Sequence, residues 1–270
     1  MATRPSKLLL SVAISFTFCA TSFAQDTGKT HNFNIAPEVS SYEYKEPGLM
    51  KISGTMVGFS FEYLNNGGVG QIKESMPVQL RARLNYMRGE LDYEGGYLEP
   101  PHDPVKMKAG TNSFVDMVFA GGFESKLGEN FSVAPYLGLG YRYLEDSGGI
   151  RTNKVDGYLV YDYKREQTYY YLPIGADWKM PLGSGWKLAI NTELDVLLRG
   201  ENTSDGIDFR QKSGYGTRLS IKVEKNLQSV GIFAEPFYRY WNISASNVKY
   251  GLHEPKNRTN EYGLRVGVSF

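Results

Sequence analysis

From Val78 to Gly89 the chain reads V-Q-L-R-A-R-L-N-Y-M-R-G, with Val78, Leu80, Ala82, Leu84 and Tyr86 alternating against Gln79, Arg81, Arg83 and Asn85. Successive side chains of an extended strand point to opposite faces, so this pattern specifies a strand with one apolar and one polar side. An amphipathic helix would instead repeat its apolar positions every three or four residues. The same period of two recurs along most of the chain. After residue 24 no stretch approaches the roughly 20 apolar residues that a membrane-spanning helix requires. Hydrophobicity is spread over alternate positions, and the chain is rich in Tyr (20) and Gly (30). Together these features imply an all-β fold in which many strands share one closed sheet.

The amino terminus has a different character. Arg4 and Lys7 form a basic start, residues 8–18 an apolar core, and Ser22-Phe23-Ala24 a small-x-small cleavage site, so residues 1–24 read as a secretory signal peptide cut after Ala24. Phe18 stands before Cys19 where a lipoprotein signal would require a small residue, which excludes lipidation. Cys19 is the single cysteine and leaves with the signal, so the mature chain has no disulfide, no thiol nucleophile and no thiolate metal site. Without Arg4 and Lys7 the chain carries 28 bases against 29 acids, a formal charge of −1 that gives no reason to expect nucleic acid as a partner.

Residues 25–31 are a polar leader expected in the periplasm, and residues 32–270 carry the strands. The alternation and the turn residues predict ten strands, at 32–45, 51–63, 78–89, 112–127, 131–144, 158–180, 186–199, 215–225, 230–243 and 260–270. Eight is the alternative count, reached if residues 32–63 form a separate hairpin. Asn65-Asn66-Gly67-Gly68 is expected to end the second strand. Gly95-Gly96, Pro100-Pro101 and Pro104 make residues 92–110 a long loop, since a ladder strand does not accept such a run. Residues 145–157, 200–212 and 244–257 are further polar loops. The connections after strands four, six and eight are short and those after three, five, seven and nine long. The strand at 158–180 is longer than the 9–11 residues that cross a bilayer, so it is expected to project beyond it and to set Tyr158, Tyr161, Tyr163, Tyr169, Tyr170 and Tyr171 near one membrane interface.

The chain ends N-E-Y-G-L-R-V-G-V-S-F, with Tyr262, Leu264, Val266, Val268 and Phe270 on one face and Glu261, Gly263, Arg265, Gly267 and Ser269 on the other. A closing strand that stops on an aromatic carboxy-terminal residue resembles that of the bacterial outer-membrane β-barrel proteins. The resemblance implies a transmembrane antiparallel up-and-down barrel in the outer membrane of a Gram-negative cell, surrounded by outer-membrane lipid and lipopolysaccharide. It also implies that Tyr262, Leu264, Val266, Val268 and Phe270 are an assembly signal read by the barrel-assembly machinery after delivery by periplasmic chaperones. Ten strands with a projecting end are similar to the omptin proteases, which use an Asp-His pair and an Asp-Asp pair at the extracellular rim. The region where an omptin-like Asp-x-x-His is expected, residues 202–208, reads N-T-S-D-G-I-D and has no His.

The polar faces carry acids (Glu38, Glu62, Asp116, Glu124, Asp177, Glu193, Asp195, Glu224, Glu235, Glu261) beside bases (Arg81, Arg83, Arg142, Lys179, Lys187, Arg218, Lys222, Arg239, Arg265). Buried charge must be paired. A barrel of this size is filled by its own side chains, so the expectation is a lumen plugged by a charge network that includes Glu193, Asp195, Arg218, Glu235, Arg239, Glu261 and Arg265. The alternative is a small pore for ions or small solutes lined by those charges. His31, His102 and His253 lie outside the predicted strands, no Ser-His or metal-ligand spacing is present, and no cofactor motif occurs. The chain therefore reads as a non-enzymatic surface protein, structural or binding an extracellular partner through its loops.

Overall fold

The computed structural model describes residues 31–73, 76–95, 105–147, 153–155, 158–160, 164–204 and 206–270; the expected signal sequence and most of the expected leader lie outside them. Ten long strands form the barrel: β1 (His31–Glu46), β2 (Met50–Lys73), β3 (Met76–Gly95), β4 (Val105–Phe123), β5 (Phe131–Ser147), β6 (Lys164–Gly183), β7 (Trp186–Ser204), β8 (Gly214–Leu227), β9 (Val230–Ile243) and β10 (Asn257–Ser269). Each pairs antiparallel with its neighbour in sequence, and β1 pairs with β10, which closes the sheet. Closure leaves no free strand edge, the condition under which a sheet can cross lipid. Residues 32–63 therefore belong to the barrel wall, and the eight-stranded alternative does not apply.

Three two-residue turns at 129–130, 184–185 and 228–229 lie at one end, beside the meeting point of Phe33 and Phe270. The short turns mark this as the periplasmic end. At the other end Pro47-Gly48-Leu49 is a tight turn with Gly48 at φ +84°, and the remaining connections are longer. Strands such as β3 and β6 have 20 residues, about 50 Å of height at a tilt near 40°, against an apolar band about 25 Å tall. The surplus height stands on the extracellular side.

Face assignment follows the pleat throughout. Val57, Phe59, Leu80, Phe119, Leu139, Leu194, Ile221, Ile232, Leu264 and Val266 look outward, whereas Glu38, Arg81, Arg142, Glu193, Asp195, Arg218, Arg239 and Glu261 are buried inside. Inside the lumen aromatic rings lie over glycines of the adjacent strand, among them Tyr171 over Gly140, Tyr136 over Gly175, Phe237 over Gly263 and Trp241 over Gly216. A Cβ at Gly140 would stand 2.1 Å from the Tyr171 ring, so only glycine permits that packing.

The ends of the strands differ from the expectation. β2 runs past Asn65-Asn66 to Lys73 with a register shift, so those residues bend the strand without ending it. β3 continues to Gly95 and β4 begins at Val105, which shortens the 92–110 loop to 96–104, outside the described residues. β5 extends to Ser147, and β7 to Ser204, from which Ile207–Gln211 folds back in register. Tyr158–Val160 belongs to a separate hairpin with Asn153–Val155, so the long strand is Lys164–Gly183. Of the tyrosines expected near one interface, Tyr169 and Tyr171 are buried in the lumen and Tyr170 faces out; Tyr158 pairs in the small hairpin, and Tyr161 and Tyr163 lie outside the described residues. His31 opens β1 and its Nδ1 lies 2.8 Å from the Tyr63 hydroxyl, so it is not a loop residue.

Candidate functional site

The lumen is stacked in layers from periplasm to cell surface. At the periplasmic end is a polar cavity of about 420 Å³ lined by Asn34, Glu62, Arg81, Lys179, Lys222 and Glu235, among others. Above it lie two hubs. Arg218 of β8 reaches Asp195 at 2.8 Å and Glu193 at 2.9 Å through Nε, and donates to both oxygens of Asp116 at 3.1 and 2.8 Å. The Tyr171 hydroxyl lies 2.8 Å from the same guanidinium and 3.0 Å from Asp116. Arg83 binds the other side of the cluster through Glu193 at 2.6 Å, and Arg142 approaches Asp116 at 3.6 Å.

The second hub is Arg239 of β9, which binds Glu38 and, at 3.1 Å, Glu261. Arg265 lies 3.4 Å from Glu38 and 3.4 Å from Glu235, while Ser40 donates to Glu261 at 2.8 Å. The seven charged residues expected to form the network thus fall in two adjoining clusters. Glu38, Asp116, Arg83 and Arg142 complete them.

Beside and above the charges the lumen also holds two apolar clusters, which the charge-plug expectation did not include. Tyr42, Ile52, Met56, Met87, Leu91 and Phe114 form one buried cluster and Val118, Tyr169, Tyr171, Leu197, Trp241 and Ile243 another. The Arg142 guanidinium stacks on Phe114 at 4.2 Å, joining the ionic layer to the apolar one. Val118, Tyr171, Trp241 and Ile243 are 0 or 1 % exposed, so among the described residues these side chains pack without contact with solvent. The sequence signal for this layer was the parity of Tyr42 and Tyr44 with Glu38 and Ser40 on β1.

At the extracellular rim the segment 244–256 is fastened down. Ser244 N–H donates to Ser213 O (3.0 Å), Asn247 N–H to Arg210 O (3.3 Å) and Ser246 N–H to Glu254 O (2.9 Å). Arg165, stacked on Tyr44 at 4.4 Å, reaches Glu46 (2.6 Å), Asp146 (3.5 Å) and Glu254 (3.7 Å). Burial pushes the Glu254 carboxyl up to about 7, with Arg165 opposing the shift. Beyond this anchor, Lys249 and Leu252 exchange backbone hydrogen bonds of 2.7 and 3.0 Å across Tyr250 (φ +54°) and Gly251 (φ +76°). Positive φ at both central residues is the geometry of a tight two-residue turn. It holds Tyr250 84 % exposed, with Val248 and Leu252 beside it. His253 is exposed in the same segment and among the described residues forms no ion pair with an acid, and His102 lies outside the described residues.

The sequence model of a family described as outer membrane protein OpcA matches residues 105–270, which is β4 through β10 and more than half the chain. The chain belongs to the OpcA outer membrane protein family. OpcA membership fixes an outer-membrane location for the barrel. Among solved structures it is similar to the outer membrane protease OmpT from Escherichia coli, at 7% identity and a TM-score of 0.56, over 92% of this chain and 98% of that one. At that identity the likeness speaks for the fold alone. It is also similar to the translocator domain of autotransporter NalP from Neisseria meningitidis, with 10% identity, coverage of 90% and 89% and a TM-score of 0.45. No curated protein sequence matches the chain.

Proposed function

We propose that this OpcA-family barrel is a non-enzymatic surface protein whose sealed body holds a rigid extracellular platform for binding a partner. The observation that carries the reading is the close packing of the lumen above the ion pairs, where Phe114 of one buried apolar cluster and Tyr171, Trp241 and Ile243 of the other are at most 1 % exposed. A polar solute entering from the periplasmic cavity meets buried ion pairs and then this layer, and desolvating it there costs more than any contact on the route returns. What remains accessible outside is the rim. Its described prominence is the Tyr250 turn, closed by the Lys249–Leu252 hydrogen bonds, and an aromatic held in such a turn before binding loses little entropy on contact. Against catalysis, residues 202–208 supply no His, and the Nδ1 of His31 is turned to Tyr63 at the periplasmic end.

The test is to display the protein on cells and probe an array of host matrix proteins and glycans. A variant with residues 248–252 replaced by Gly-Ser of equal length should keep its surface level and lose the bound probe. If cells with and without the protein bind the array alike, the binding reading is wrong.

A further inference from the structure

The outer wall near the extracellular end carries a row of cations that the protein itself leaves mostly unneutralised. Arg258 of β10 stands opposite Lys45 of β1, and Lys45 stands opposite Lys51 of β2. All three point away from the lumen, because Asn257, Thr259, Tyr44, Glu46 and Ile52 on either side of them are buried within it. With strands about 4.8 Å apart, the three charges attach to the wall within about 10 Å. Like charges placed directly opposite destabilise a sheet, so such a row calls for an anion. Lys51 has Glu94 at 3.3 Å. Among the described residues no ion pair reaches Lys45 or Arg258, and the next outward acid on β1, Glu43, stands opposite Asn260 and Ser53.

The depth of the row is set by the aromatics below it. Tyr215, Tyr238, Tyr240 and Tyr262 lie on the outer face of β8, β9 and β10, with Tyr240 opposite Asn260 and Tyr238 opposite Tyr262. Such rings mark the boundary between hydrocarbon and headgroups. Arg258 is four residues above Tyr262, which puts it about 10 Å higher at a strand tilt near 40°. Beneath the cations, on the same strands and the neighbouring β9, a shallow groove of about 480 Å³ runs between Val39, Ser41, Thr55, Pro236, Tyr262 and Leu264. Small residues at Ser41 and Thr55 leave the hollow between the larger neighbours.

We propose that Arg258, Lys45 and Lys51 bind the phosphates of a phosphorylated glycolipid of the outer leaflet, and that one of its acyl chains lies in the groove below. Cations at headgroup depth above an apolar furrow match the two parts of that molecule. Neither part alone selects it, since free phosphate has no use for the groove and an uncharged lipid none for the cations.

The experiment uses the full mature barrel folded in detergent and labelled lipid A, either bisphosphorylated or dephosphorylated, with binding read by fluorescence transfer. The wild type should prefer the bisphosphorylated form by at least about tenfold, since each basic residue near a lipid surface contributes about fivefold. Lys45→Gln and Arg258→Gln should each weaken that binding about fivefold, and the double variant should lose the preference, whereas Arg258→Lys retains it. Ser41→Trp, which fills the groove, should weaken both lipids alike and leave the preference intact. Lys126→Gln, at the periplasmic end, should change nothing. Heat-modifiable gel mobility confirms that each variant is folded. Equal binding by wild type and double variant, no preference for the phosphorylated lipid, or displacement of the lipid by millimolar inorganic phosphate would each overturn the proposal.

Discussion

Arg218→Met removes the cation at the centre of the ionic layer while keeping a side chain of similar length. Arg218 is 7 % exposed and holds Asp116, Glu193 and Asp195. Of these, Glu193 keeps Arg83 at 2.6 Å and Asp116 keeps Arg142 at 3.6 Å. Asp195 is left without a cation among the described residues. Removing one partner of a buried pair costs about 3–5 kcal/mol, because the remaining charge stays desolvated. At about 2–4 °C per kcal/mol for a chain of this length, the midpoint of the heat-dependent gel shift should fall by roughly 6–20 °C. Adding Asp195→Asn should recover most of the loss, since the orphaned charge is then gone, while Asp195→Asn alone should cost less than Arg218→Met. A midpoint for Arg218→Met within a degree or two of wild type would refute the claim that this layer is a dry, mutually dependent ion cluster.

The closing strand gives a paired test of its faces: Leu264→Arg puts a charge in lipid at about 2–4 kcal/mol near the midplane and should lower the amount inserted. Arg265→Ala should insert and lose stability by leaving Glu235 without a cation among the described residues, whereas Glu38 and Glu261 keep Arg239. Phe270→Asp should reduce outer-membrane protein in favour of an unfolded periplasmic form, measured by fractionation, if the terminal aromatic is the assembly signal that the closing strand resembles. The rim anchor should depend on pH. The Glu254 carboxyl is raised to about 7, so docking of segment 244–256 is firmest below the unfolded value near 4.5 and weakens by at most about 3 kcal/mol as pH rises through 7. A spin label at Leu252 should grow more mobile over that range, and Glu254→Gln should abolish the change.

The faces of the strands were legible because a pleat has a fixed period of two, and burial on one side leaves that period in the residues. The closed barrel followed from the number of such segments. Strand ends were harder. Residues 91–95, 105–110 and 200–211 lie in hairpins above the hydrocarbon layer, where neither face meets acyl chains and the alternation fades, so Gly and Pro dominated the reading. Some ion pairs could be traced once the register was known: Arg218 stands opposite Glu193, Arg239 opposite Glu261 and Arg265 opposite Glu235 on adjacent strands. Arg83 with Glu193 and Arg218 with Asp116 join strands that are not neighbours and meet only across the closed lumen. The apolar upper layer was readable in principle. Tyr42, Tyr44, Trp241 and Ile243 share the parity of the charges below them, but large aromatics in a barrel sequence suggest a membrane girdle before they suggest a plug.

The sealed lumen is the claim on which the rest depends, and planar-bilayer conductance tests it most directly. The purified barrel, inserted at verified density, should leave the bilayer silent, with no sustained step in current. Enlarging the path by Trp241→Ala and Phe114→Ala together should produce one, because those side chains belong to the two apolar clusters that close the way above the charge layer. Sustained ohmic channels from the unaltered protein would contradict the account and return the charge-lined lumen to the role of a pore.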